Sequence, residues 1–63
     1  MPTRERFPAD QVKPLRQAMS LSQAKFASRL DVEPMTVSRW ERGLTQPQHA
    51  VSQQLWGLAD TYL

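Results

Sequence analysis

Cysteine is absent from the chain of 63 residues, and no apolar run approaches the length of a membrane span. Without cysteine the chain can form no disulfide and offers no thiolate to a metal, which fits a reducing compartment. A membrane-spanning helix needs about 20 apolar residues, and the charged stretch from Met1 to Phe7 does not resemble a secretory signal. The sequence therefore predicts a cytoplasmic protein with no membrane segment.

Histidine occurs once, at His49, and the chain contains no phosphate-binding loop and no nucleophile with a matching base. The sequence therefore predicts neither an enzyme nor a bound metal or cofactor. The length allows one compact domain. A domain of this size buries only about 60% of its unfolded surface, so its core must be economical and a partner subunit would help to stabilise it.

Charge of one sign is in small excess, since eight Lys and Arg oppose six Asp and Glu for a net charge of +2. This excess alone is a weak indication of nucleic-acid binding. The type of cation says more, because six of the eight are arginine. The planar guanidinium suits phosphates and the edges of guanine, although an ordinary soluble surface can carry the same balance.

Prolines and glycines divide the chain into a short arm and four helical segments. Residues 1–8 hold two prolines and alternating charges with one aromatic, which predicts a flexible N-terminal arm. Residues 9–63 are expected to form the folded domain. Apolar residues at helical spacing predict helices over about residues 10–19, 23–30 and 34–42 and from after Pro47 to about residue 62. No strand pattern appears, so the predicted fold class is all-α.

Local signals mark several of these helix ends. Ser22 suits the N-cap of the second helix. Pro34 suits the first position of the third helix, and Gly43 suits the position that follows the end of the third helix. Pro14 is harder to place, because proline is tolerated in a first turn and costly further in. Either the first helix begins near Asp10 with Pro14 at the end of its first turn, which we favour, or Pro14 itself opens the helix.

The second and third predicted helices are joined by only Asp31, Val32 and Glu33. A turn this short forces the two helices to cross steeply, as in a helix-turn-helix unit. Such a unit can present its second helix to the major groove of DNA. A generic helical hairpin has the same helix lengths, so the lengths alone leave the two interpretations even.

Residues spread over most of the chain distinguish between these interpretations. They run in the order Leu15-Arg16, Leu21-Ser22-Gln23, Phe26-Ala27, Leu30, Val32, Thr36-Val37-Ser38-Arg39-Trp40-Glu41-Arg42-Gly43 and Pro47. This long, gapless pattern covers roughly residues 12–58 and resembles the lambda-repressor-like, Cro/XRE family of DNA-binding domains. It is most similar to the antitoxin-like and small autoregulator branch. The resemblance implies a compact bundle of four to five helices containing a helix-turn-helix, of bacterial or phage origin.

The resemblance also assigns candidate DNA contacts position by position. The first residue of the second helix, here Gln23, usually binds a phosphate, which the helix N-terminus favours. The exposed first part of the third helix usually reads base edges, and here these positions are Pro34, Met35, Thr36 and Arg39. Further candidates for contact with the DNA backbone are Ser38, Thr45, Gln46 and His49.

Arg39 is the first candidate for base reading, because its guanidinium can donate to guanine O6 and N7 together, worth about 1–3 kcal/mol of discrimination. The alternative is a solvated helix cation. Thr36 can exchange hydrogen bonds or place its methyl against thymine, Met35 offers apolar contact only, and Pro34 has no N–H to give. The predicted reading of bases is sparse and partly apolar, so DNA shape would contribute.

Three residues depart from the family pattern. Glu33 stands where a Ser or Thr cap is usual, and its carboxylate suits the helix dipole yet would lie near phosphates. Leu44 replaces a basic residue and so removes one expected phosphate contact, and Asp31 replaces a glycine. In the arm, Arg4 and Arg6 either contact DNA or belong to a solvated tail.

Arg16 and Glu41 are expected to form an ion pair, because the family commonly pairs an arginine of the first helix with the glutamate that closes the third. Deleting one partner should then destabilise the fold more than deleting both. The expected core consists of the inward-facing apolar residues Leu15, Leu21, Phe26, Leu30, Val32, Val37, Trp40, Val51, Leu55 and Leu58.

The last helix carries a second apolar stripe. Trp56 and Leu63 lie seven residues apart and, with Tyr62, form a candidate dimer surface, although Trp56 could instead lie against its own core. Two copies on half-sites about 34 Å apart would read a palindrome. The resemblance therefore predicts a homodimeric repressor on an inverted-repeat operator of double-stranded DNA. The alternative is an antitoxin that also binds and neutralises a toxin.

Overall fold

The computed structural model describes residues 4–63 as a 3₁₀ turn followed by four α-helices, with no strand in this range. The 3₁₀ turn spans Ala9–Gln11, α1 spans Val12–Ala18, α2 spans Gln23–Leu30, α3 spans Pro34–Glu41 and α4 spans His49–Tyr62. None of the helices in this range is both long and apolar enough to cross a membrane. The all-α bundle predicted from the sequence is confirmed.

The first helix begins upstream of Pro14. The 3₁₀ turn leads into it, with the Gln11 N–H donating to the Pro8 carbonyl at 3.1 Å. Pro14 is then the third residue of α1. A backbone N–H at that position would have no helical carbonyl to bind, so proline is tolerated there. Of the two arrangements that the sequence leaves open, the structure has the one in which Pro14 lies in the first turn.

Short-range hydrogen bonds fix the turn between α2 and α3. Asp31 ends α2 in the left-handed conformation, with φ of 58°, which aspartate tolerates better than most residues. The Val32 N–H donates to the Ala27 carbonyl at 2.9 Å. Glu33 precedes α3 without a side-chain capping bond, and Pro34 occupies its first turn. The chain thus reverses within three residues without the usual glycine.

The other predicted caps also lie where the sequence places them. The Ser22 hydroxyl accepts the Lys25 N–H at 3.2 Å and caps α2. Gly43 follows α3 with φ of 75°, a conformation in which other residues are strained. Arg42 ends α3 as its C-cap, so the helix stops one residue earlier than predicted. Ser22 therefore marks the start of α2, and Arg42 and Gly43 mark the end of α3.

One hydrophobic core lies between the helices. Its side chains are 0–3% exposed and are Phe7, Val12, Leu15, Phe26, Ala27, Leu30, Val37, Trp40 and Leu55. Partly buried side chains pack around it, namely Met19, Leu21, Val32, Val51, Trp56, Leu58 and Ala59. Most of the predicted core is therefore correct, with Leu21, Val32, Val51 and Leu58 at its edge. Phe7 is a core residue that the sequence pattern does not predict.

The segment of residues 4–8 packs against α4, which corrects the prediction of a free arm for this part of residues 1–8. Phe7 is 1% exposed, and its ring meets the Trp56 ring edge to face, with centroids 4.9 Å apart. The Phe7 N–H donates to the buried Ser52 hydroxyl at 2.9 Å. Burial of this one aromatic ring outweighs the polar character of its neighbours. The remaining residues of the predicted arm, 1–3, lie outside the described range.

Polar contacts extend this packing along α4. The Gln53 side chain accepts the Arg4 N–H at 3.2 Å and donates to the Arg4 carbonyl at 2.7 Å. The Trp56 indole N–H donates to the Glu5 carbonyl at 2.7 Å. The Arg4 guanidinium pairs with Asp60 at 2.9 Å and lies 5.4 Å from the Trp56 ring centre. Both arginines are exposed, but Arg4 is engaged with α4, whereas Arg6 forms no ion pair within residues 4–63.

Replacing Phe7 by alanine is expected to lower the free energy of unfolding by about 3–5 kcal/mol, because it opens a cavity in the core. Urea unfolding followed by circular dichroism measures the loss. The matched control is Arg6→Ala, at the exposed neighbouring position, with an expected change within about 0.5 kcal/mol. Equal stability of the two variants would contradict the packed position of Phe7.

Candidate nucleic-acid interface

The outer face of α3 lies on the surface, while its inner face is buried. Met35 is 54% exposed, and Pro34 and Arg39 are exposed as well. On the inner face Val37 and Trp40 are 0% and 3% exposed. A helix whose inner face is packed in this way presents its outer side chains at a fixed angle. Of the predicted base-reading residues only Thr36 is half-buried.

An ion pair connects the end of α3 to α1. The Arg16 Nε lies 2.6 Å from Glu41 Oε2, and Arg16 Nη2 donates to Glu41 Oε1 at 3.1 Å. The third nitrogen, Nη1, donates to the Leu21 carbonyl at 2.9 Å. The side chains of Arg16 and Glu41 are only 15% and 6% exposed. This two-point geometry fixes orientation as well as distance, so the pair expected from the sequence holds α3 against α1.

The ionisation of Glu41 reflects this environment. Burial acts to raise the Glu41 pKa, but the hydrogen bonds from Arg16 and Gln23 and the nearby positive charges outweigh it, so the pKa lies below its usual value. The hydrogen bond with Glu41 raises the pKa of Arg16 against the effect of burial. Both groups are therefore charged at neutral pH, and the pair is charge-assisted.

Gln23 has a structural contact in addition to its predicted role. Its side-chain amide donates to Glu41 Oε1 at 3.0 Å, which joins the start of α2 to the ion pair. As the first residue of α2, Gln23 also has a backbone N–H that no helical carbonyl accepts. The side chain of Gln23 is thus oriented by α3, and its backbone remains suited to an anion.

The connection between α3 and α4 is held from inside by Ser52. This serine is 0% exposed, and its hydroxyl donates to the Pro47 carbonyl at 3.3 Å while accepting the Phe7 N–H. Pro47 is buried, whereas Thr45, Gln46 and His49 are exposed. Ser52 is not among the residues predicted from the sequence, although its position three residues before Leu55 places it on the buried face of α4.

An open groove lies between the α2–α3 turn, α3 and the start of α4, with a volume of about 580 Å³. Its apolar wall includes Trp40 and Val51, and its polar lining includes four of the predicted DNA contacts, Thr36, Arg39, Thr45 and Gln46. The fold therefore brings residues of α3 and of the following connection to one surface. Gln23, Pro34, Met35, Ser38 and His49 do not line this groove.

The apolar stripe of α4 divides into two parts. Tyr62 and Leu63 are 44% and 63% exposed. Trp56 is half-buried and contacts Phe7 and the Glu5 carbonyl, as in the alternative that places it against its own chain. The apolar surface available at this end of the protein is therefore smaller than the sequence pattern suggests.

Two short helices joined by a three-residue turn, the second with an exposed outer face, define a helix-turn-helix domain. A family model described as helix-turn-helix matches residues 12–55. The chain belongs to this family, of the Cro/XRE type that the resemblance predicts, and it is a DNA-binding transcription regulator. No curated protein and no solved structure matches the chain. Within residues 4–63 no three His, Asp or Glu side chains lie close enough to hold a metal.

Replacing Glu41 by glutamine is expected to lower the free energy of unfolding at neutral pH by about 3 kcal/mol, because it leaves the Arg16 charge without its partner. Since folding lowers the Glu41 pKa, the pair's stabilisation is present above the unfolded-state pKa and is lost as the pH falls through the folded-state value. The variant should therefore lose less stability in acid than the wild type. Urea unfolding at neutral pH and at about pH 3 measures both effects.

The double variant Arg16→Met/Glu41→Leu is the control for this pair. Removing both charges is expected to destabilise the fold less than Glu41→Gln alone, since no buried charge is then left unpaired. A double variant whose loss equals the sum of the losses in the single variants Arg16→Met and Glu41→Leu would show that the residues do not interact.

Proposed function

We propose that the protein is a homodimeric repressor that binds an inverted-repeat operator and reads bases with the outer face of α3. The observation that carries this proposal is the exposure of Pro34, Met35 and Arg39 on a helix whose other face, Val37 and Trp40, is buried. A single helix presented in this way fits the major groove, which is about 12 Å wide. Membership of the family supports the same use of α3.

Base reading is proposed to depend mainly on Arg39. The side chain is exposed and forms no ion pair with another described residue, so two neighbouring N–H groups of the guanidinium can donate to guanine O6 and N7. Met35 is apolar and more than half exposed, which suits contact with a thymine methyl. Pro34 and Thr36 complete the surface, Pro34 without a backbone donor and Thr36 with a hydroxyl and a methyl.

Contacts to the DNA backbone are proposed to come from the elements beside α3. Thr45 and Gln46 are exposed on a connection that Ser52 fixes through the Pro47 carbonyl. Gln23 offers the N-terminus of α2, where partial positive charge favours a phosphate. The remaining candidates are Ser38 and His49, which lie on either side of this connection. Such contacts position the domain and carry no sequence information themselves.

A dimer is proposed because one domain offers few base contacts. Non-specific affinity is typically about 10⁻⁴–10⁻⁶ M, and two domains on half-sites about 34 Å apart add their contacts. Tyr62 and Leu63 at the end of α4 are the exposed apolar residues proposed for the dimer contact, and the half-buried Trp56 is proposed to contribute to it. The dimer would repress by occluding a promoter. Toxin binding remains a prediction of the resemblance.

Arg39→Ala is expected to relax specificity at one guanine position of each half-site, with a loss of roughly tenfold for the preferred sequence. Selection of binding sites from random duplex DNA, followed by titration of the selected site, measures both. Arg29→Ala, which removes the same charge from an exposed position on α2, is the matched control and should keep the preference for guanine. A loss that is uniform over all sequences would make Arg39 a phosphate contact instead.

Leu63→Asp is expected to shift the protein from dimer to monomer at micromolar concentration and to weaken operator binding, because it places a charge in the apolar contact. Analytical ultracentrifugation and titration with the full operator measure the two effects. Leu63 is 63% exposed, so stability of the monomer should not change. Leu44→Asp, at an equally exposed leucine, is the control for assembly, and a dimer that persists in Leu63→Asp would contradict the proposed contact.

A further inference from the structure

We propose that the Glu33 carboxylate reads a base, and that it selects cytosine at one position of each half-site. This inference rests on the proposed function, because it requires that the first turn of α3 enters the major groove. Glu33 is not among the base-reading residues that the family resemblance assigns. It is the last residue before α3 and directly precedes Pro34.

The carboxylate of Glu33 forms neither a capping bond nor an ion pair within the described chain. Glu33 is exposed, and its side chain forms no capping bond to α3 although it occupies the N-cap position. It takes part in no ion pair among residues 4–63, in contrast to Glu41, which pairs with Arg16, and Asp60, which pairs with Arg4. The side chain is therefore available to a ligand.

The backbone of Glu33, in contrast, is fixed. Its carbonyl accepts the Thr36 N–H at 2.9 Å and the Val37 N–H at 3.4 Å. The extended conformation, with φ of −79° and ψ of 148°, leads directly into Pro34. The position of the Glu33 Cβ is thus set by the same helix that presents Arg39, so any base it reaches is in register with the base that Arg39 reaches.

A carboxylate at this position discriminates between bases, because few groups on DNA can pair with it. The phosphates repel it, and it can only accept hydrogen bonds. In the major groove the donors are the amino groups of cytosine and adenine, whereas guanine and thymine present acceptors. Adenine carries the N7 acceptor beside its amino group, which repels a carboxylate, and cytosine presents the amino donor alone. Cytosine is therefore the base that Glu33 suits best.

Pro34 strengthens this selection. Proline has no N–H, so the residue after Glu33 cannot donate to the acceptors of guanine or thymine. At the start of α3, the Glu33 carboxylate can therefore accept a hydrogen bond, whereas Pro34 has no N–H to donate one. Residues six apart on an α-helix are separated by about 9 Å along its axis, so Glu33 and Arg39 reach different base pairs. Each of the two residues should therefore specify a separate position of the half-site.

The test is selection of binding sites from random duplex DNA by the full chain and by Glu33→Gln. The wild type is expected to prefer cytosine at one position of each half-site by roughly five- to tenfold. Glutamine keeps the size of the side chain but can also donate, so the variant should lose this preference and accept adenine or guanine there. The guanine position that depends on Arg39 should not change.

Asp31→Asn is the matched control. It removes the same charge two residues earlier, at an exposed position whose φ of 58° asparagine also adopts. This variant is expected to bind all sequences somewhat more tightly, with unchanged preferences. If Glu33→Gln behaves in the same way, Glu33 acts through charge alone and the inference is wrong. If the wild type selects no site, the proposed function itself fails.

Discussion

The orientation of α3 depends on the guanidinium of Arg16. Its nitrogens bind Glu41 at two points and the Leu21 carbonyl at a third, so one side chain of α1 joins the α1–α2 connection to the end of α3. Gln23 binds the same carboxylate from the start of α2. A planar cation with five donors suits this arrangement better than lysine would. Rotation of α3 would break these contacts together, which makes its outer face a rigid surface.

A second set of contacts fixes the connection that follows α3. Ser52 joins the Phe7 N–H to the Pro47 carbonyl, and Phe7 fills the space between this serine and Trp56. The N-terminal segment and the connection beside α3 therefore share one buried hydroxyl. The segment of residues 4–8, which the sequence predicts as a flexible arm, therefore helps to hold the connection between α3 and α4 in place. Its burial adds to the small apolar area that a domain of this size can bury by helix packing.

The parts of the fold that depend on local chemistry could be predicted from the sequence. Ser22, Pro34 and Gly43 act on their nearest neighbours, and for this reason α2 and the start of α3 lie where the pattern places them. The contact between Phe7 and Ser52 could not be predicted, because their hydrogen bond joins residues 45 positions apart and leaves no periodic signal. The predicted DNA contacts follow from the family pattern, and the structure adds which of them share a surface.

The two tryptophans occupy different environments. Trp40 is almost fully buried behind α3, whereas Trp56 is half-buried under the N-terminal segment, with its indole N–H bound to a carbonyl and a guanidinium near its ring. Detachment of the N-terminal segment would expose Trp56 to solvent and leave Trp40 buried. The molecule therefore contains two intrinsic optical probes, so that red-shifted emission from one indole would distinguish local opening at the N-terminus from global melting.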